Sequence, residues 1–323
     1  MEESDLNQPK RHHTVPRFYL HGFAKNDTIQ TIPLDERQPF ITSINNASVK
    51  KNFYTIPNLE DEYVFERKLG ELEKQASKAI KKVKNGSWPL PPEHRAAVAV
   101  FISLGALRGE GFRDQIRILD SHYDAYLKNG DGAKKLQQLY VDSGRTPPTD
   151  AEAAAAISEI TGSDNPLAEV NSQRHAFFLA NFLQDFALLI LSRPWTLYTI
   201  TDGSLITGDN PLGIGPPIED IAEENRTGVA IAQLLTFPVS RTHGILMGPI
   251  TTGDHIQLGQ ADHFRYGTSG FHELANPLTL ASCSECIFHH PDDGKFAPSD
   301  EEIAEHEPLT VIIPDRFKRG GNS

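Results

Sequence analysis

Two histidines, His12 and His13, stand side by side near the start of the chain in KRHHTVPRFYLHGFA, ahead of Val15-Pro16 and an aromatic run. Neutral imidazoles beside carboxylates suit a divalent metal, and either ring also suits general-base work. Carboxylates at a matching spacing occur at Glu66 and Glu73, which fall within about 20° of each other around a helix, with Glu62 on the same side. A further carboxylate, Asp209 in ITGDNPL, stands at the end of an expected strand, where Asn210-Pro211 turns the chain. Arg108 follows the nearly all-apolar AAVAVFISLGAL, so its guanidinium needs a carboxylate or a bound phosphate as partner. Combined, these residues describe a metal-dependent hydrolase of phosphodiesterase or nuclease type. His12, His13, Glu66, Glu73 and Asp209 would be its metal ligands, with His13 and Asp209 acting in catalysis and Arg108 stabilising developing phosphate charge. The alternative is a non-catalytic binding or interaction protein, in which the same groups form a buried polar network pinning the N-terminal segment onto the helices.

Each group also has a plainer reading. Glu66 and Glu73 lie at the edge of an apolar stripe, where stems cover the core and carboxylates reach water. Asp209 suits an Asx turn, and His175, at the start of a second apolar helix, suits a hydrogen-bonded core position. Cys283 and Cys286 in CSECIFHH lack the second ligand pair of a zinc knuckle, and His289 and His290 follow too closely to complete a tetrahedral set. Arg241 and His243 in SRTHG read as an exposed turn rather than an anion site. The chain has no Gly-x-x-x-x-Gly-Lys loop, no Gly-x-Gly-x-x-Gly turn, no Gly-x-Ser-x-Gly elbow and no His-Glu-x-x-His, which weighs against nucleotide-driven, dinucleotide, α/β-hydrolase and zincin chemistry.

The elements that must position these groups are an α+β set. At 323 residues with a 38% apolar content, the chain is expected to fold as one large domain, α-rich over 1–193 and α+β over 194–323. Residues 60–85 carry Phe65, Leu69, Leu72, Ala76, Ile80 and Val83 at three- and four-residue steps, an amphipathic helix closed by Gly86. A buried helix over 93–107 follows Pro92, and helical texture continues over 112–141. A short helix starts at Thr149 or Asp150, and VNSQRHAFFLANFLQDFALLILSR makes a second buried helix. TIQTIPL and PFITSI are short strands. Beyond Pro194, WTLYTITDGSLITGDNPL reads as a hairpin around Asp202-Gly203, and AQLLTFPVS with HGILMGPI as another. NPLTLASCSECIFHH reads as a C-terminal helix, and LTVIIP as an edge strand.

A formal charge of −12 opposes general adhesion to nucleic acid or anionic membrane, leaving a phosphate ester or a locally bound nucleic acid as the substrate of the hydrolase reading. Two cysteines and a polar, acidic start point to a reducing, cytoplasmic setting without a signal peptide. The long apolar stretch near 175–193 is broken by Asn181, Gln184 and Asp185, and reads as a core helix rather than a membrane span.

The opening segment resembles the signature of a bacterial family catalogued as Domain of Unknown Function 4238. The residues that carry the likeness are His12, His13, Val15, Pro16, Phe18, Tyr19, Leu20 and Phe23, followed by ERKLGELE, TGDNPL and ANPLTLAS. The resemblance implies a soluble, α-rich bacterial protein and implies no activity.

Overall fold

The computed structural model describes residues 11–54, 64–142, 144–162, 172–217, 228–250, 262–267 and 270–308. These residues form two compact units: Arg113 to Gly162 make the second, and all other described residues belong to the first. The order of helices first and sheets later is the α+β architecture expected from the sequence.

Three helices form the helical layer of the first unit. α2 (Val64–Lys84) buries Leu69, Ala76, Ile80 and Val83 along one stripe, and Gly86, at φ +77°, closes it as a left-handed cap. α3 (Pro92–Leu107) begins with Pro92 in its first turn and is buried over most of its circumference. α7 (Ser172–Leu191) packs along α3, but Phe177, Phe182 and Leu188 are exposed. One face of this helix is therefore open rather than buried all round. By length and composition alone, Arg174–Leu191 reaches the range of a membrane span, so the interrupting polar residues are the only sequence argument against one.

Three sheets complete the first unit. β1 (Arg11–His13) pairs antiparallel with β4 (Val49–Lys51), placing His12 opposite Lys50. A four-stranded antiparallel sheet runs β3-β2-β11-β6, from β2 (Thr28–Pro33), β3 (Phe40–Ser43), β6 (Thr207–Gly208) and β11 (Cys286–His289). A five-stranded sheet runs β10-β5-β9-β8-β7. It contains β5 (Trp195–Thr199), β7 (Gly213–Ile214), β8 (Leu235–Ser240), β9 (His243–Met247) and β10 (His263–Tyr266), with only β10 and β5 parallel. β8 and β9 are the hairpin expected around Arg241-Thr242.

Other expectations are corrected. β5 and β6 are not a hairpin: β5 lies between β9 and β10, and β6 pairs with β11. Long-range strand partners override the local Asp202-Gly203 turn signal. α8 (Phe271–Ser282) ends before Cys283, and Cys286 to His289 are strand, so the two cysteines do not share a helical face. Asn276 lies inside α8 rather than at its start. LTVIIP lies outside the described residues.

Directly after Pro16, α1 (Arg17–Leu20) forms a single turn. It sinks Tyr19 and Leu20 into the main core, with Val15 and Phe23 beside them. The Tyr19 hydroxyl donates to the Pro238 carbonyl at 2.6 Å and lies 2.8 Å from Thr207 Oγ1, tying the opening segment to both larger sheets. α9 (Asp300–Ala304) carries a capping box between Ser299 and Glu302.

α4 (Glu110–Lys128), most of which lies in the second unit, and α5 (Gly132–Asp142) divide what the sequence presents as one helical run over 112–141, while α6 (Asp150–Gly162) is the separate short helix expected after it. The break after Lys128 contains Gly130 at φ +78°, a conformation a continuing helix does not hold. α6 starts with Thr149 and Glu152 bonded to each other, as expected for a cap at that position.

Candidate functional site

The site grows from β1. Alternation along a strand sends neighbouring side chains to opposite faces, so His12 and His13 cannot serve one centre together. His12 is fully buried. Its Nδ1 accepts the Tyr54 backbone N–H at 2.8 Å, and its ring stacks on Tyr54 at 5.6 Å between centroids. A neutral ring with Nδ1 as acceptor carries its proton on Nε2. That atom lies 3.0 Å from Glu66 Oε2 in the first turn of α2, but the N–H does not point along the contact, and no hydrogen bond forms. His13 contributes its backbone carbonyl, which accepts Arg108 Nη2 at 2.7 Å.

Arg108 caps the C-terminus of α3 and is buried. Its Nη1 donates to Glu73 Oε1 at 2.7 Å and its Nε to the Tyr54 hydroxyl at 3.1 Å. Burial opposes the charge on Arg108, but the surrounding Tyr54 and Glu73 outweigh it and raise its pKa. One guanidinium thus ties β1, the chain after β4, α2 and α3 together, and Glu73 is its structural counter-ion. His175 joins the same core: its Nε2 lies 2.8 Å from the Leu107 carbonyl and Phe53 meets its ring edge to face.

Asp209 does not join this group. Its backbone carbonyl approaches Gly109, where an added Cβ would lie 3.6 Å away. Its carboxylate turns to the loop between α8 and β11, accepting the backbone N–H groups of Ser284, Glu285 and Cys286 at 3.1–3.2 Å. Burial pushes its pKa up to about 6, against the lowering effect of those amides. The expected five-ligand set is therefore divided: His12 and Glu66 meet, Glu73 pairs with Arg108, Asp209 binds amides, and His13 offers a carbonyl. Glu62 lies outside the described residues.

Zinc sites in proteins use three protein ligands when catalytic and four when structural. Among the described residues, no group of three or more His, Cys, Asp or Glu side chains is placed to hold a metal ion, and the His12–Glu66 pair supplies two donors. That pair falls short of the donor set of a zinc site among the described residues. Cys283 and Cys286 are free thiols whose pKa values burial holds well above the ordinary thiol range. His289 bonds toward the His290 carbonyl and His290 accepts the Asp292 N–H, so neither completes a set with the cysteines.

Sequence reasoning missed three partners. Tyr54 joins His12 to Arg108; its only signal is an aromatic pair, Phe53-Tyr54, beside the short strands. Arg95 in α3 forms a buried two-point pair with Asp262, through Nε at 2.8 Å and Nη2 at 3.1 Å, and lies 4.2 Å over the Trp195 ring. Arg241, expected in an exposed turn, donates through Nη2 to Asp293 at 2.7 Å, and Ser204 donates to the other oxygen of that carboxylate.

No match was found among curated proteins or among solved structures. One family model matches residues 11–293, from β1 through Asp293, and thus covers every residue of the buried network. The chain belongs to the family described as Protein of unknown function (DUF4238).

Proposed function

We propose that the chain is a non-catalytic binding protein, in which the buried polar residues hold the N-terminal strand in place rather than perform chemistry. The observation that carries this reading is the commitment of Arg108. Its three bonded nitrogens go to Glu73, Tyr54 and the His13 carbonyl, which turns the predicted phosphate-stabilising cation into a cross-brace. An arginine buried with a bonded carboxylate is expensive to disrupt, because removing one partner strands the other. Acting on a phosphate ester or nucleic acid would require this guanidinium to release its partners and reach solvent. The negative net charge supports a small-molecule ligand over a nucleic acid.

Elemental analysis of the purified protein, followed by thermal unfolding with and without EDTA, tests the reading. It predicts no stoichiometric divalent metal and an unchanged transition. A tightly held metal that is lost in Glu66→Gln while the fold persists would restore the hydrolase reading.

A further inference from the structure

The C-terminal half of α2 carries charge of one sign. Lys74, Lys78, Lys81, Lys82 and Lys84 fall between Glu73 and Glu93, with no Asp or Glu among them. All five are exposed. At 3.6 residues per turn, Lys74, Lys78 and Lys81 lie within an arc of about 60°, opposite the buried stripe of Leu69, Ala76, Ile80 and Val83. Lys82 and Lys84 flank them, about 80° to either side. The row rises about 6 Å from Lys74 to Lys78, and the whole set spans about 15 Å of helix.

No bonded acid neutralises this ridge. Among the described residues, none of the five ammonium groups forms a hydrogen bond or an ion pair. Of the flanking acids, Glu71 pairs with Lys68, Glu73 pairs with Arg108, and Glu93 stands 3.7 Å from His94. Helix stability accounts for only part of the set. Lys81, Lys82 and Lys84 sit in the last turn, where cations complement the helix dipole. Lys74 and Lys78 stand further back, beyond the reach of that effect. Lys74 with Lys78, and Lys78 with Lys82, are like charges four residues apart, an arrangement that weakens a helix. The row is thus a cost to the free protein that an anionic partner removes.

The chemistry of the ridge selects the partner. Lysines present point charges rather than the paired donors of arginine. No aromatic or large apolar side chain of α2 is exposed, so bases have nothing to stack on and a membrane receives no inserted group. The net charge is −12, so the chain outside these five lysines carries −17. A nucleic-acid duplex or an anionic bilayer extends past the ridge, over a chain of its own sign, whereas a short acidic segment ends where the ridge ends.

We propose that the lysine row of α2 docks an Asp/Glu-rich segment of a partner protein. Alternate side chains of an extended chain stand about 6.6 Å apart, and residues four apart on a helix about 6 Å. Either form sets successive carboxylates along the row. This inference goes beyond the binding-protein reading and does not rest on it.

The probe is a fluorescent peptide of about eight glutamates, long enough to cover the row when extended. Its anisotropy with the full chain is expected to show saturable binding at about 50 mM salt, weakening steeply by about 300 mM. Lys74→Gln, Lys78→Gln and Lys81→Gln combined are expected to weaken binding about tenfold. Gln forms helix as readily as Lys, so the fold persists. A charge-matched control, Lys25→Gln, Lys134→Gln and Lys295→Gln combined, is expected to keep wild-type affinity. Lys74→Arg, Lys78→Arg and Lys81→Arg combined are expected to keep it too, which separates lost charge from a lost fold. No saturable binding, or equal weakening in the row and control variants, would overturn the proposal. Tighter binding of a short DNA duplex or of phosphatidylserine vesicles than of the peptide would overturn it as well. So would salt-sensitive self-association of the chain that the row variant loses, because the occupant would then be a second copy.

Discussion

Glu73 and Asp209 are carboxylates at the edges of apolar elements, and the protein answers them in different ways. Glu73 on α2 meets a side chain 35 positions away, the Arg108 guanidinium. Asp209 meets three consecutive backbone amides of the loop after α8. The first carboxylate is held by a charge of opposite sign and keeps one side toward solvent. The second is buried without a cation, and its pKa rises. An acid near an apolar surface therefore says little about chemistry until its partner is known. A cation makes it half of a brace, and amides make it the anchor of a loop.

The comparison is broken most severely at Arg108. Arg108→Met leaves Glu73, the Tyr54 hydroxyl and the His13 carbonyl without their donor, and the expected loss in chemical denaturation is about 4 kcal/mol. A loss below about 1 kcal/mol would mean that the brace is ornamental. Asp209→Ala is expected to cost about 3 kcal/mol, because three buried amides lose one shared acceptor. A near-neutral result there would show that water replaces the carboxylate with ease.

Asp209→Asn sharpens the contrast through pH. The folded-state pKa of Asp209 lies above the ordinary aspartate value, so the folded protein takes up the proton first. The stabilisation from this group is fully present below about pH 4 and is lost as pH rises through about 6, a change of about 3 kcal/mol at most. Wild type is expected to lose that much relative to Asp209→Asn between pH 4 and pH 7, measured as the difference between their unfolding free energies. Parallel curves would contradict the assignment. Glu66→Gln stands at the small end. Glu66 is partly exposed and forms no hydrogen bond with His12, so its replacement is expected to cost less than about 1 kcal/mol.

Much of this arrangement was legible from residue types. The stripe through Leu69, Ala76, Ile80 and Val83 located α2, and Gly86 and Pro92 marked the ends around it. The need of Arg108 for a carboxylate or phosphate partner was legible, and Glu73 meets it. His12 and Glu66 also meet as their types suggest. What stayed hidden depends on backbone geometry. No residue type announces that the N–H groups of Ser284, Glu285 and Cys286 converge, so Asp209 looked available. Neighbouring histidines looked like a pair until a strand placed them on opposite faces. Asp202-Gly203 carried a sound local turn signal, yet β5 and β6 found partners far along the chain.

The central claim is that Arg108 braces β1 and β4 rather than serving a reaction. Backbone hydrogen exchange in Arg108→Met tests it most directly, because local opening exposes the amides of the released element before the core unfolds. The account predicts that protection across Arg11–His13 and Val49–Lys51 collapses under conditions where the β8–β9 amides remain protected. Continued protection of β1 and β4 alongside β8 and β9 in that variant would contradict it.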